Sequence, residues 1–358
     1  MYTGVNMGRK GIFILATLAT LSGLLATVHT QAQNNTGELN LTSSPLPIAL
    51  KAKPGESIST ELRIRNNSPQ SEKLKIGLMK FSAAGDDGKP QLAEKEDGDD
   101  YFGWVKFSQT ELTAESNEWK TVKMTITLPE TAAFGYYYAV TFTRANQENA
   151  DGSLQSAVHG GSATLVLLEA DVSNAKRELS LESFTVGKRT YEFLPAKFSV
   201  KLHNNGNVHS APTGNIFIKK GDDQVGTINV NSTLGNILPN SNRIYAAEWS
   251  EGFPTYKLKE ENGKAIVKDG EQVYQLEWDA SNLRNLRFGK YTATLVMVYN
   301  DGTRDVPLEA TLTFWVIPWR LIFGGLLVTI FAGIGIWVTA RKGFLKVHKK
   351  PKHYKEEK

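Results

Sequence analysis

The amino-acid sequence predicts a mainly β chain, in which two tandem antiparallel β-sandwiches lie between an N-terminal signal segment and one C-terminal transmembrane helix. Apolar and polar residues alternate through the body of the chain, which is typical of strands that bury one face. Two uncharged apolar runs lie near the ends of the chain. The 358 residues include no cysteine, so the sequence excludes disulfides, thiol catalysis and cysteine-based zinc sites.

The N-terminus has the three parts of a secretory signal peptide. Arg9 and Lys10 precede an apolar run over residues 11–28, and small residues then suit cleavage after Ala32. Residues 1–32 are therefore predicted to be a signal peptide. Because the apolar run approaches membrane-spanning length, an uncleaved signal anchor remains an alternative.

The second apolar run, Leu321–Ala340, has twenty residues and no charge. A helix of that length spans about 30 Å, which is the thickness of the hydrocarbon core of a bilayer. Trp315 and Trp319 precede the run and Trp337 lies near its end, as in the aromatic belts at membrane interfaces. These features predict a transmembrane helix over residues 319–340 that contacts membrane lipid.

A basic tail follows this helix. Residues 341–358 contain eight Lys or Arg and two Glu. Positive charge beside a membrane span stays in the cytoplasm, so the sequence predicts a single-pass protein of the cell membrane with its sandwiches outside and its tail inside. The tail also suits anionic lipid headgroups. The remaining body is slightly acidic, which argues against nucleic acid as a partner.

The first sandwich is predicted over residues 33–171. Apolar residues alternate with polar ones over residues 58–64, 74–78 and 122–128, with turn-forming residues between these segments. Such strands pack one face on a core and expose the other. The polar stretch that follows Ala170 serves as a linker.

The alternation then resumes and predicts the second sandwich over residues 179–317. Short strands separated by turn signals are typical of Ig-like sandwiches, which we predict in both halves. The strands of the second half are predicted over residues 179–186, 197–203, 215–219, 225–230, 244–249, 273–278, 291–299 and 307–316.

Four aromatic residues are assigned to the sandwiches. Tyr137 and Tyr291 each come just after a glycine and just before an apolar strand, which is the position of a tyrosine whose hydroxyl bonds to backbone a few residues upstream. For Tyr137, in a run of three tyrosines, an ordinary strand aromatic is an equal alternative. Trp249 and Trp278 are predicted to be core residues rather than an exposed sugar-binding platform.

Two stretches of the second half, residues 202–231 and 235–249, contain the motifs Asn-x-Gly-Asn-Val-His and Leu-Pro-x-Ser-x-Arg. Together with residues 53–68, 101–108 and 159–172 of the first half, they resemble the WxL-interacting protein family of membrane-anchored bacterial surface proteins with tandem Ig-like domains. The resemblance implies a two-domain surface protein, one domain contacting peptidoglycan or a partner protein and the other a host ligand. It transfers no ligand residues.

The sequence contains no nucleophile elbow, zinc-protease motif, phosphate-binding loop or dinucleotide-binding glycine pattern, so we predict no enzyme, no cofactor and no metal site. His203 and His209 are predicted to be an exposed pair flanking a turn rather than metal ligands. The acidic segment of residues 85–100 is predicted to be a solvated loop. Asp97, Asp99 and Asp100 are its first candidates if a metal binds.

The function these features predict is non-enzymatic. We expect a cell-surface protein that presents its Ig-like domains to a cell-wall glycan, a partner surface protein or another cell, with residues 85–100 and 252–272 as contact surfaces. Deletion of residues 85–100 should then abolish retention on the wall or on the partner without unfolding the protein. The alternative is a two-sandwich assembly chaperone or a structural component of an envelope complex, which a long, free, apolar edge strand would favour. An enzyme that acts on wall glycans is the weakest candidate.

Overall fold

The computed structural model describes residues 39–145, 161–261, 263–268 and 270–347. The predicted signal peptide, His159 and the end of the basic tail lie outside these residues. Along the described chain the elements are β1 (Leu41–Ser44), β2 (Ile48–Ala52), β3 (Ser57–Asn66), β4 (Glu72–Ala83), β5 (Pro90–Ala93), β6 (Val105–Phe107), β7 (Glu111–Ala114), β8 (Trp119–Thr127), β9 (Gly135–Arg144), β10 (Ser162–Ala170), β11 (Leu179–Val186), β12 (Thr190–Tyr191), β13 (Ala196–Asn204), β14 (Thr213–Lys220), β15 (Asp223–Val230), β16 (Asn242–Trp249), β17 (Thr255–Leu258), β18 (Glu260–Glu261), β19 (Lys264–Ala265), β20 (Val267–Lys268), β21 (Glu271–Gln272), β22 (Tyr274–Glu277), β23 (Gly289–Asn300), β24 (Asp305–Val316) and α1 (Trp319–Val347).

The first half of the described chain forms two sheets around one core. The first sheet has the strand order β1-β3-β8-β6, and the second has the order β2-β10-β9-β4-β5, with β7 also paired to β4. Alternate residues of β3 and β8, such as Leu62 and Met124, are fully buried between the sheets. The predicted alternation in this half is therefore confirmed.

The second half repeats this arrangement with its own core. One sheet has the order β11-β13-β16 and the other the order β12-β24-β23-β14-β15. Trp249 lies at the centre, where its ring packs edge-on against Tyr291 and Phe314. The prediction that Trp249 is a core residue is confirmed.

One buried asparagine ends the equivalent strand of each sandwich. Asn204 ends β13, and its side-chain amide donates to the carbonyls of Val208 and Ile237 at 2.9 Å while its oxygen accepts from the N–H of Gly206 at 2.8 Å. Asn66 ends β3 and makes the same kind of three contacts. Both residues are fully buried, so each asparagine supplies partners for backbone groups of neighbouring loops that water does not reach.

Two aromatic predictions need correction: Tyr137 is the strand aromatic of the equal alternative rather than the corner tyrosine, and Trp278 is not a core residue. It is the hydroxyl of Tyr136, not Tyr137, that accepts from upstream backbone, the N–H of Ala133 at 3.0 Å. Trp278 is 56% exposed and packs edge-on against Phe253, because the segment that carries it leaves the sandwich before the core is reached. The prediction for Tyr291 is confirmed, since its hydroxyl accepts from the N–H three residues upstream at 3.1 Å.

Only Ile317 and Pro318 separate the end of β24 from the beginning of α1. Its segment Trp319–Lys342 is long and apolar enough, by length and composition, to cross a membrane, and none of that segment is buried against the described residues. The predicted helix ends at residue 340, but α1 continues through the first residues of the basic tail to Val347.

Candidate functional site

β24 has one edge that is mostly unpaired. On one side it pairs with β23 over its whole length without a register shift. On the other side β12 pairs only with Trp315 and Val316. In the described part of the chain no strand extends this second ladder, so Asp305–Phe314 has no hydrogen-bonded strand on that side, although β11 of the other sheet passes close to β24.

The direction of the backbone groups along β24 follows from one contact. The N–H of Trp315 donates to the carbonyl of Arg189 at 2.9 Å, on the side of β12. Backbone groups of successive strand residues point to opposite sides, so every second residue shares this direction. Glu309, Thr311 and Thr313 therefore turn their N–H and C=O groups away from β23. We call the backbone of these three residues the open edge.

The side chains between these positions face the interior of the second sandwich. Val306, Leu308, Ala310 and Leu312 pack against the core and are half-buried. The backbone of Pro307 points to the same side as the open edge, so the N–H that proline lacks would not have bonded to β23. The open edge thus borders a row of apolar side chains that is partly covered.

The corresponding strand of the first sandwich is better covered. β10 is paired over five residues by β2. Its interior side chains Val166, Leu168 and Ala170 are fully buried, unlike those of β24. The half-burial along β24 is therefore consistent with the short length of β12, which pairs only with the end of β24.

The other edge strands have features that oppose strand addition. β11 has a register shift between Leu181 and Ser183, and β15 lies opposite a shift between Ile218 and Lys219. Such irregularities bend a strand edge away from a flat ladder. β1, β5, β6 and β7 have four residues or fewer. Of the edges in the described chain, β24 combines the greatest length with an unbroken register.

The first sandwich contacts the edge of β16 near its start. The N–H of Ile244 donates to the carbonyl of Asp86 at 2.6 Å, and the Asp86 carboxylate forms an ion pair of 2.7 Å with Lys201. The acidic segment, predicted to be a solvated contact loop, therefore holds the two sandwiches together at this end. It also contains β5, so its deletion would remove structure rather than only a surface.

A cleft of about 410 Å³ lies beside this contact. The outer face of the first sandwich supplies the apolar residues Phe81, Leu165 and Leu167, and the second sandwich supplies Leu238. Arg243 and Lys89 add positive charge to the lining. The cleft is a second candidate site, lined by both apolar and positively charged side chains.

A buried charge lies between the cleft and the linker. Glu169 is 5% exposed and forms ion pairs with Arg177 and with Lys51, the latter at 3.5 Å. The side-chain hydrogen bond to Asp171 is the main reason that the pKa of Lys51 is raised. These contacts tie β2, β10 and the linker together.

His209 is held at the junction rather than exposed. Its ring packs edge-on against Tyr137 at 5.9 Å between centroids, and its Nδ1 is buried without a hydrogen-bond partner among the described residues. His203 bonds to Asn242 at 2.7 Å instead of pairing with His209. The prediction of an exposed histidine pair is therefore wrong, because the neighbouring sandwich covers one ring.

Acidification is expected to weaken this junction. Burial lowers the pKa of His209 below its usual 6.5, so the unfolded chain binds this proton more readily than the folded one. Of the two charged groups that act on the ring, Glu169 opposes this shift and Arg177 reinforces it. Stability contributed by neutral His209 is full above pH 6.5 and falls as pH drops below it. The melting temperature should decrease from pH 7.5 to pH 5, and His209→Gln should flatten that dependence; an unchanged slope would contradict this assignment.

The acidic candidates for a metal do not come together. Asp99 accepts from the N–H of Glu96 at 2.8 Å and from Lys80 at 3.0 Å. These bonds, with the backbone contact first, lower the pKa of Asp99. No group of three or more potential ligands, with Asp97 and Asp100 included, is clustered within the described residues.

No family model matches the chain, and no curated protein matches it. Among similar solved structures is the class 5 fimbriae chaperone CfaA, with 18% identity, 67% of this chain and 100% of that chain covered, and a TM-score of 0.32. The CupB2 chaperone of Pseudomonas aeruginosa has 10% identity, coverage of 76% and 100%, and a TM-score of 0.32. The CsuC–CsuE chaperone–tip adhesion subunit complex of Acinetobacter baumannii has 13% identity, coverage of 75% and 97%, and the same score of 0.32.

The predicted role as a surface recognition protein for cell wall, partner protein or another cell is corrected by this comparison. These similar structures are chaperones of fimbriae and pili, which is the class of protein that the predicted alternative names, so the surface-recognition role is not proposed again. TM-scores this low carry no functional argument by themselves, so the geometry of the chain has to supply one. The resemblance to WxL-interacting proteins stays a prediction.

Proposed function

We propose that this chain is an envelope assembly factor, either an assembly chaperone or a structural component of an envelope complex, with two Ig-like sandwiches tethered to a membrane by α1. It holds an extended segment of a partner protein as an added strand along β24. The open edge carries this proposal, because Glu309, Thr311 and Thr313 offer three unpaired N–H and C=O groups in an unbroken register. Main-chain pairing of this kind supplies affinity that depends little on sequence.

The apolar row beside the open edge determines which partner segment fits. A strand added next to β24 would place every second side chain over Val306, Leu308, Ala310 and Leu312, which are half-buried now. An alternating segment with small or β-branched apolar residues on that side completes the cover. On the outer face, Glu309 favours a Lys or Arg directly opposite.

The position of the open edge limits where the partner is held. β24 leads into α1 through Ile317 and Pro318 alone. If α1 spans the membrane with the basic tail inside, the open edge lies within one strand length of the outer membrane surface, about 40 Å for twelve residues. A newly exported partner would therefore be bound before it moves away from the membrane.

Site-specific cross-linking in cells tests this proposal. A photoreactive amino acid at Thr311, whose side chain is exposed beside the open edge, should form an adduct with one extended segment of a partner. The matched control is Thr227, an exposed threonine on β15 at the opposite edge of the same sheet. Adducts at residue 227 but not at residue 311, or none at either, would contradict the proposal.

A further inference from the structure

The end of the second sandwich next to α1 carries a loop at the level where the chain leaves the sheet. Gly289 is the pairing partner of Val316, so Phe288 lies about one strand spacing, roughly 5 Å, from Ile317. α1 begins two residues later. We call residues 278–288 the proximal loop.

The proximal loop exposes large apolar side chains. Trp278 is 56% exposed, Leu283 59%, Leu286 49% and Phe288 50%. A single exposed apolar residue needs no explanation, but four within one loop of eleven residues concentrate apolar surface at this end of the sandwich, as binding surfaces do. We call these four side chains the patch.

Internal hydrogen bonds hold the loop in this conformation. The Asp279 carboxylate accepts from the N–H of Ser281 at 3.0 Å and from the side chain of Asn282 at 2.8 Å. The N–H of Phe253 donates to the carbonyl of Asn285 at 2.9 Å, and the N–H of Phe288 donates to the Tyr291 hydroxyl. The backbone is thus fixed while the apolar side chains point outward.

Positive charge surrounds the patch. The exposed basic side chains at this end include Lys188, Arg189, Lys219, Lys220, Arg284, Lys290 and Arg320. Two acids at this end are engaged, since Asp279 binds within the loop and Glu192 contacts Arg320 at 3.4 Å. Asp222, Asp223 and Glu251 are exposed there as well, and the basic side chains outnumber them. Apolar side chains flanked by Lys and Arg are the composition that binds an anionic membrane interface.

We propose that the proximal loop rests on the membrane, with its apolar side chains among the lipid headgroups and its basic neighbours against anionic lipid. This contact rests on insertion of α1, as does the tether in the proposed function, but it does not involve the open edge. It fixes the tilt of the second sandwich, so that β24 is held at a defined angle to the membrane. Without it, only Ile317 and Pro318 would connect the sandwich to α1, and the tilt would vary.

Single labels test this contact, because the natural chain has no cysteine. The full chain is placed in nanodiscs that contain phosphatidylglycerol and a headgroup-nitroxide lipid. Leu283→Cys carries a fluorophore, and Leu234→Cys is the control, because Leu234 is 56% exposed and follows β15 at the opposite end of the sheet. We expect at least threefold stronger quenching at residue 283. Equal quenching at both positions would overturn the proposal. That result is also expected if a partner protein, rather than lipid, covers the loop.

A longer tether separates surface affinity from simple proximity. Six Gly/Ser residues are inserted after Ile317 in the Leu283→Cys chain. If the loop binds lipid, quenching at residue 283 persists and falls at least threefold when phosphatidylcholine replaces phosphatidylglycerol. Loss of quenching when the six Gly/Ser residues are inserted would overturn the proposal. So would quenching that is the same with phosphatidylcholine as with phosphatidylglycerol. Partner capture at residue 311 is scored in the same chains, so failure of this contact is distinguished from failure of the strand-addition function.

Discussion

Thr311→Pro is expected to lower partner capture at the open edge at least tenfold while leaving the second sandwich folded. The N–H of Thr311 points away from β23, so proline removes a donor that only an added strand would use. Pro307 lies on the same strand, and its backbone points to the same side as that of Thr311, so β24 already accommodates a proline at an equivalent position. Capture is measured as the yield of the cross-linked adduct with the photoreactive residue moved to Thr313.

Two controls accompany this variant. Thr311→Ala removes the same side chain but keeps the N–H, and capture should stay near the level of the natural chain. Leu312→Pro removes a donor that bonds to β23 and introduces ring crowding, which should cost about 1–3 kcal/mol of stability. Equal capture by Thr311→Pro and Thr311→Ala would show that backbone pairing is not used.

Asn204→Ala is expected to destabilise the second sandwich by about 3 kcal/mol or more. The substitution leaves the carbonyls of Val208 and Ile237 and the N–H of Gly206 without their partner in a buried site, and each unsatisfied group costs about 1–3 kcal/mol. Some relaxation and water entry reduce the sum. Urea unfolding of the detergent-solubilised chain measures the change.

The neighbouring asparagine is the matched control. Asn205 is exposed and bonds through its side chain to Ser180 at 2.9 Å, so Asn205→Ala should change stability by less than about 0.5 kcal/mol. Asn66→Ala should destabilise the first sandwich as Asn204→Ala does the second, since it has the same three contacts. Equal midpoints for Asn204→Ala and Asn205→Ala would contradict this account.

Local periodicity is sufficient to predict the long strands of the sandwiches, because a strand that buries one face carries an apolar residue at every second position. Trp249 is correctly placed in the core for this reason. Tyr137 is not correctly assigned, because three consecutive tyrosines carry no periodic signal that separates the corner position from its neighbours. Trp278 precedes a segment that leaves the sheet, and periodicity over a few residues does not show this.

Features that depend on pairing between distant residues are beyond sequence reasoning. The last strand is predicted over residues 307–316, but its open edge arises from the two-residue length of β12, far upstream. The charge of the acidic segment suggests a solvated loop, whereas its contact through Asp86 with Ile244 and Lys201 depends on how the sandwiches pack. The same packing buries His209 against Tyr137.

Amide hydrogen exchange along β24 tests the central claim most directly. In the free chain, the amides of Thr311 and Thr313 should exchange much faster than those of Ala310 and Leu312, which face β23. In the complex purified from the native envelope, the first pair should become protected at least 100-fold, while the second pair changes little. Slow exchange at Thr311 in the free chain, or no added protection in the complex, would show that no partner strand is held there.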